Sequence, residues 1–442
     1  MSQNPRHIRI SLTLSPAVER TYLRIPFNVL PGTERLTIRY SYPRHREDSS
    51  DPAGTFRDEV NIVDLALEDG AHALVGASGS ERTVVVIGEN HATDGYLPAL
   101  LVPGTWHVVL GAYVIEPDGC PVMLEIEQEA NHPVLLKGDT HVHTTHSDGW
   151  YTVGEVIARA RQDRLDFLFI TDHNAMTSNA GLVSDESLLV LPGVELTYYD
   201  GHCNLLGVER PVRTFFANAR DEVLAIVREG RRNGALAFIN HPFYAGCEWK
   251  FGLDASVAVD GIEVWNGPFT LHNMKAIGYW QQQLSEGRRL PVLGGSDNHR
   301  SDQFLLMGNP TTFAYADSRS GSSLLAALRA GHTFIGSTPD APVIDLAAGP
   351  ARMGDVLHMG DVFRAGDADS VVLHASRLRP QDEIQFITET GIVHRRRIAK
   401  EYAVRIELPL PHAKFMRIEV WRPIPGLTET LAALGNPIYF EG

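Results

Sequence analysis

The chain has 442 residues, with 39 basic against 54 acidic side chains and a net charge of −15. At 43% apolar and 21% charged residues it has the mixture of a globular protein, which excludes a disordered chain, and no run approaches the roughly 18 apolar residues of a membrane span. The acidic balance argues against broad attraction to nucleic acid or anionic membrane.

In chain order, residues 1–133 read as a β-rich module. Alternating or apolar runs at His7–Leu14, Arg35–Tyr42, Arg82–Ile87, Trp106–Val114 and Val122–Ile126 are separated by turn signals such as Pro31-Gly32, Pro103-Gly104 and Asp118-Gly119, a pattern that suggests a sandwich. The charged, Ser- and Pro-containing stretch His45–Gly54 reads as a loop. From Val134 to 338 the rhythm changes: apolar strands alternate with helix-like segments, the sign of β/α units around a mostly parallel sheet or barrel. Thr152 with Glu155 forms a capping box that starts one helix. Others are expected over 221–232, 271–286 and 323–330, each followed by a glycine. From 339 to 442 strand-like runs return (Ser370–Ala375, Glu383–Thr388, Ala403–Leu408, Phe415–Trp421), giving a second β-rich module.

The residues that suggest chemistry lie in the central region. Lys137-Gly-Asp-Thr-His141-Val-His143 places two imidazoles two residues apart, on one side of an extended backbone, with Asp139 on the same side and Asp148 just before a glycine. The strand Phe167–Ile170 is followed by Thr171-Asp172-His173. Leu188–Pro192 leads into Gly193-Val-Glu195, and His202 follows soon after. Ala235–Ile239 ends in Asn240-His241-Pro242. Pro291–Leu293 leads into Gly294-Gly-Ser-Asp297-Asn-His299.

Each group alone has an ordinary explanation: surface histidines, a helix cap, a solvated carboxylate, a turn. Their joint placement at five strand ends does not, because the carboxyl ends of strands in a β/α barrel converge on one rim. Imidazoles and carboxylates without thiolates suit Zn, Mn or Fe. Around eight convergent ligands exceed the needs of one tetrahedral ion, so two or three divalent ions are expected. In such a cluster a shared hydroxide is the nucleophile and the metals stabilise charge on the attacked group.

At these residues the sequence resembles PHP-domain (polymerase and histidinol phosphatase) metallohydrolases: His141-x-His143, Asp148, Thr171-Asp172-His173, Glu195, Asn240-His241-Pro242 and Ser296-Asp297-Asn298-His299 stand in the family's order. Gly261-Ile-Glu-Val-Trp-Asn266, Gly435-Asn-Pro-Ile-Tyr-Phe440 and Pro103-Gly-Thr-Trp-His-Val-Val-Leu-Gly111 resemble its CehA/McbA branch. The resemblance implies an α/β fold: a PHP-type distorted (βα)7 barrel, here flanked by N-terminal and C-terminal β-sandwich-like modules. It assigns His141, His143, Glu195 and Asp297 to a first metal. Glu195, His241 and His202 take a second, and Asp148, His173 and His299 a third.

Asp172 is expected to orient His173, and either His202 or a metal-bound water to serve as the proton donor to the leaving group. Trp265, Asn266 and Arg300 are expected to meet substrate. The expected activity is a metal-dependent phosphoesterase or phosphodiesterase, acting in the cytoplasm on a small-molecule ester. An aryl carbamate or carboxyl-ester hydrolase is the alternative with the same metal centre, and a noncatalytic metal-containing binding protein is the alternative outside enzymes. No membrane partner is expected, nor a nucleic acid beyond a nucleotide substrate; an oligomer is allowed. The cytoplasmic expectation rests on three sparse cysteines (Cys120, Cys203, Cys247) and an N-terminus without a signal-peptide pattern.

Overall fold

The computed structural model describes residues 6–45, 59–252, 259–300, 306–348, 362–364, 370–424, 426 and 429–441. Most of the loop expected at His45–Gly54 lies outside them. The chain divides into two compact units, Met1–His132 and Pro133–Gly442.

The first unit is all β. Its strands are β1 (His7–Leu14), β2 (Thr21–Val29), β3 (Thr33–Ser41), β4 (Ile62–Glu68), β5 (Leu74–Ser78), β6 (Val84–Gly88), β7 (Gly104–Val114) and β8 (Cys120–Ala130). They form two four-stranded antiparallel sheets, ordered β1-β8-β3-β6 and β2-β7-β4-β5. Alternate residues of both sheets bury a single cluster that includes Leu36, Ile38, Val63, Leu65, Trp106 and Val108, the arrangement of a sandwich.

The second unit is mixed α/β. It opens with β9 (Val134–Asp139), α1 (Val153–Gln162), β10 (Phe167–Ile170), β11 (Leu189–Tyr198), β12 (Gly201–Leu206), α2 (Arg220–Arg232), β13 (Leu236–Ile239), β14 (Gly261–Asn266), α3 (Leu271–Ser285) and β15 (Val292–Gly295). Then come β16 (Thr311–Ala316), α4 (Gly321–Ala330) and β17 (Thr333–Gly336). The strands from β9 to β15 lie side by side in chain order. β9, β10 and β11 pair in parallel, as do β13, β14 and β15. Past their ends Val142 bridges Asn298, and His143 N–H donates to the Asn298 carbonyl at 3.0 Å, which brings the first and last strand of the run together.

The run is not a regular sevenfold β/α repeat. β11 and β12 are joined by the short turn at Tyr199-Asp200 and pair antiparallel, as do β12 and β13. Among the described residues the connections of this run hold three α-helices, α1, α2 and α3. α1 starts at the Thr152–Glu155 capping box, and each bond of the box is present. The strand cores are continuous apolar runs, such as Phe167–Ile170 and Leu236–Ile239, because both faces are covered.

The last stretch contains β18 (Val343–Ala348), β19 (Val362–Arg364), β20 (Ser370–Ser376), β21 (Glu383–Thr388), β22 (Gly391–Arg397), β23 (Val404–Pro409), β24 (Phe415–Pro423), β25 (Glu429–Gly435) and β26 (Ile438–Glu441). β18-β20-β23 is a separate three-stranded sheet, whereas β25, β24, β21 and β22 continue the long sheet beyond β17. Asn436, fully buried between β25 and β26, ties β15 to β17. Its Oδ1 accepts Val292 N–H at 3.0 Å, and its amide donates to the Val292 carbonyl (3.0 Å) and Thr333 Oγ1 (2.7 Å).

Replacing Asn436 leaves the buried Val292 N–H without its partner and the Val292 carbonyl with Thr333 Oγ1 alone, at 3.5 Å, and an unsatisfied buried group costs roughly 1–3 kcal/mol. Asn436→Ala is therefore expected to lower unfolding free energy by about 1–3 kcal/mol in urea titration. A change within the error of the titration would show that Asn436 does not close this part of the sheet.

Candidate metal centre

Glu195 occupies the middle of the site. It lies on β11, its side chain wholly buried, and five imidazoles reach it. His141 Nε2 (3.4 Å), His202 Nδ1 (3.1 Å) and His241 Nε2 (3.4 Å) approach Oε1. His143 Nε2 (3.4 Å) and His173 Nδ1 (2.7 Å) approach Oε2. Asn240 Nδ2 donates to Oε1 at 2.7 Å. The histidines come from the ends of β9, β10 and β13 and from the hairpin strand β12, so neighbouring strands deliver them to one place.

Asp297, two residues beyond β15, is the second carboxylate. Its Oδ1 lies 3.3 Å from His141 Nε2, 3.0 Å from His143 Nε2 and 3.5 Å from His299 Nδ1. Its backbone sits at φ 53 and that of His241 at φ 27, the left-handed region that non-glycine residues enter at a cost of about 1–3 kcal/mol. On the solvent side, Asp148 Oδ1 is 3.2 Å from His299 Nε2 and 3.6 Å from His173 Nε2. Side-chain exposure separates the layers: 60% for Asp148, 30% for His299 and 24% for His173, against zero for His141, His143 and Glu195. The site is deep at Glu195 and opens over Asp148.

Several of these contacts are close without being hydrogen bonds. His141 Nε2, His143 Nε2, Glu195 Oε2 and Asp297 Oδ1 are all buried and none has an aligned hydrogen-bond partner. Buried polar atoms are normally paired. Donor atoms within 4.8 Å of one another fall into the groups His141/His143/Glu195, His141/His241/Asp297, His173/Glu195/His202 and His143/Asp148/His173/His299. These clusters are compatible with divalent metal ions, whose ligands approach one another without sharing protons.

The charges of the two carboxylates agree with this. Burial opposes a charge on His141, but Asp297, Glu195 and Glu263 outweigh it and hold its pKa well above the ordinary imidazole value. Burial works to raise Glu195, yet the charge on His141 and the close approach of the His141, His173 and His202 imidazoles hold it well below the usual carboxylate range. Asp297 is likewise lowered by His141 and His143, against burial and the repulsion of Glu195. His143 moves the other way, because burial prevails over the carboxylates facing it. Both carboxylates are thus ionised at neutral pH, the form a cation requires.

The other expected residues divide. Asn266 is at the site, with Nδ2 donating to Glu263 Oε2 (3.0 Å) and Asp297 Oδ2 (3.3 Å). Arg300 stacks over the Trp150 ring, 5.1 Å from its centroid, beside His299. Trp265 is instead 1% exposed and packs against Phe269 in the core beneath. The expectation that Asp172 orients His173 is corrected. Its carboxylate accepts Thr144 N–H (2.7 Å), Thr144 Oγ1 (2.7 Å) and Ser147 Oγ (2.6 Å), so it shapes the loop that carries Asp148. His173 Nδ1 meets Thr197 Oγ1 at 2.6 Å instead. Asp139 is turned away as well, its carboxylate accepting the N–H groups of His141, Ser296 and Gly308.

One member of the site has no role in the sequence reading. Glu263, buried on β14, contacts His141 Nδ1 through Oε1 at 3.0 Å and accepts His241 N–H through Oε2 at 3.1 Å. Its signal is a carboxylate within the apolar strand Gly261–Asn266, a place where charge needs a partner.

Residues 139–318 match the family model of the PHP domain. The match spans the metal centre, from Asp139 beneath it to beyond His299. Among solved structures, the chain is similar to a two-domain protein of Bacteroides vulgatus, whose name gives it a PHP-like metal-dependent phosphoesterase part. Identity is 16%, over 68% of this chain and 96% of that one, with a TM-score of 0.41. A Bifidobacterium adolescentis protein named for metal-dependent phosphoesterase activity shows 18% identity, covering 38% and 90%, with a TM-score of 0.28. An amidohydrolase of Chromobacterium violaceum, with bound sulfate and no metal, shows 15% identity, covering 38% and 89%, with a TM-score of 0.27. No curated protein matches the chain.

A carboxylate behind a ligating imidazole fixes its tautomer and orientation, and losing one costs about 10–100-fold in metal affinity. Glu263→Gln is expected to weaken zinc binding by about that factor in competition with a chelating dye. Unchanged affinity would mean that His141 is positioned without Glu263.

Proposed function

We propose that the PHP domain is a metal-dependent hydrolase of ester bonds, with phosphoesters as its substrates. The observation that carries this reading is the set of buried, unpaired donor atoms around Glu195 and Asp297. His141, His143, Glu195 and Asp297 would hold a first divalent ion. Glu195, His202 and His241 would hold a second, and Asp148, His173 and His299 a third, with Zn, Mn or Fe as the ions this donor set suits. Phosphoesters are favoured over carbamates or carboxyl esters because two or three clustered cations match the charge of a phosphoryl group. The phrase Gly261–Asn266 and the Gly435–Phe440 turn support placement in the CehA/McbA branch. The free thiols of Cys120, Cys203 and Cys247 suit a reducing, cytoplasmic setting. No helix among the described residues is long and apolar enough to cross a membrane.

Bound ions would supply Lewis acidity to the ester and an acidified water for attack. The protein's own groups do the rest. Glu263 holds the His141 ring by Nδ1, so that Nε2 faces Glu195 and Asp297. Asp172 fixes the loop on which Asp148 stands at the solvent opening. His202, with Nδ1 at 3.1 Å from Glu195 Oε1, would serve either as a ligand of the second ion or, with its ring free of metal, as the proton donor to the leaving oxygen, and not as both. Asn266 spans Glu263 and Asp297 at the wall of the pocket, and Arg300 offers an anion contact at the rim beside Trp150.

Hydrolysis of p-nitrophenyl phosphate esters is expected to vanish on chelation and to return with added metal. Asp297→Asn is expected to lower kcat by at least about 100-fold, beyond the 10–100-fold typical of residues behind the ligands. Turnover of aryl carbamates in preference to phosphoesters would transfer the reading to carbonyl chemistry. Ester hydrolysis that survives complete metal removal would overturn it.

A further inference from the structure

A second group of metal-ligating side chains stands in the first unit, on the outer face of the sheet β2-β7-β4-β5. Glu68 ends β4, and the antiparallel register sets it directly opposite His107 of β7. Directly opposed residues point to the same side with Cβ atoms about 5 Å apart, within reach of a common ion. The turn from β4 to β5 then carries His72 back over the pair. Asp69 braces that turn, its Oδ1 accepting Ala71 N–H and Ala73 N–H at 2.8 Å each, and His72 N–H donates to the Asp69 carbonyl at 3.0 Å. His72 sits at φ 62, a left-handed conformation that costs a branched or bulky residue energy. Its ring faces that of His107, with centroids 4.8 Å apart and planes 27° from parallel.

The ligand atoms of Glu68, His72 and His107 all lie within 4.8 Å of one another, and His107 Nδ1 is a buried nitrogen without a hydrogen-bond partner. Two imidazoles and a carboxylate are the donor set of a three-ligand zinc site, whose fourth position is left to water. A tetrahedral ion at 2.0–2.1 Å from each ligand needs the donors about 3.4 Å apart. His72 Nδ1 already lies 3.5 Å from Glu68 Oε2.

Arg24 is the feature that weighs against an ion, since its Nε and Nη2 bind Glu68 Oε2 and Oε1 at 2.9 Å each. Each carboxylate oxygen retains a further lone pair, however, and the same guanidinium keeps Glu68 deprotonated and fixed in direction. Arg24 thus stands behind Glu68 as Glu263 stands behind His141.

We propose that Glu68, His72 and His107 form a second metal site, separate in sequence and in residues from the PHP centre, for a borderline divalent ion of the zinc type. An ion there would clip the 69–73 turn to strand β7.

The test is equilibrium dialysis of the full chain against buffered zinc, with His72→Asn and His107→Gln. Asparagine tolerates the left-handed backbone at 72, and glutamine keeps a polar side chain on β7, so both variants spare the fold. Wild type is expected to hold one zinc more than either variant, with ester hydrolysis the same in all three. Equal zinc content in the three proteins would overturn the site. Because the count does not depend on turnover, a failure of the hydrolase reading would show separately, as inactive protein that still loses one zinc in each variant.

Discussion

A wholly buried carboxylate ringed by imidazoles is the constraint on which the rest of this molecule depends. An ionised carboxylate taken out of water is strongly penalised unless compensating charge surrounds it. At Glu195 that compensation comes from His141, His143, His173, His202 and His241 at 2.7–3.4 Å, and from Asn240. Five histidines from four strands must therefore meet at one point on β11. The parallel pairs bring three strand ends to it, and the β11–β12 hairpin brings His202.

The scaffold bears the cost of this convergence in identifiable places. His241 and Asp297 adopt left-handed backbone conformations that aim their side chains inward. Gly295 cannot carry a side chain, since a Cβ there would lie 2.4 Å from His141 Cβ and 2.7 Å from Glu263 Oε1. Asp139, which the sequence places beside the two histidines, gives its carboxylate to three backbone N–H groups beneath them. Asp172 does the same for the loop leading to Asp148. Two conspicuous acids of the motif thus hold the backbone in shape, and other carboxylates face the centre.

This division explains what can be read from sequence. The His141-x-His143 pair, His241 and the Asp297–His299 pair follow apolar strands, and their convergence follows from that position, whereas Glu195 lies within β11 itself. The Thr152 capping box is legible because its two bonds are local. Glu263 is not, because its partners His141 and His241 lie 122 and 22 residues away and no local pattern names them. The antiparallel hairpin at β11–β12 escapes notice because Leu189–Tyr198 and Gly201–Leu206 are apolar enough to pass for strands of a parallel sheet. The role of Asp172 depends on Thr144 and Ser147, some 25 residues away, and adjacency to His173 points elsewhere. Trp265 carries an aromatic ring that suits a pocket equally well, and only packing against Phe269 places it in the core.

Divalent ions in the ring around Glu195 are what both the buried donor atoms and the hydrolase reading require. Anomalous X-ray scattering from crystals grown with zinc, collected on both sides of the metal absorption edge, would test this most directly. At least two anomalous peaks are expected within ligand distance of Glu195, Asp297 and the surrounding imidazoles. Full zinc loading without a peak among these side chains would contradict it.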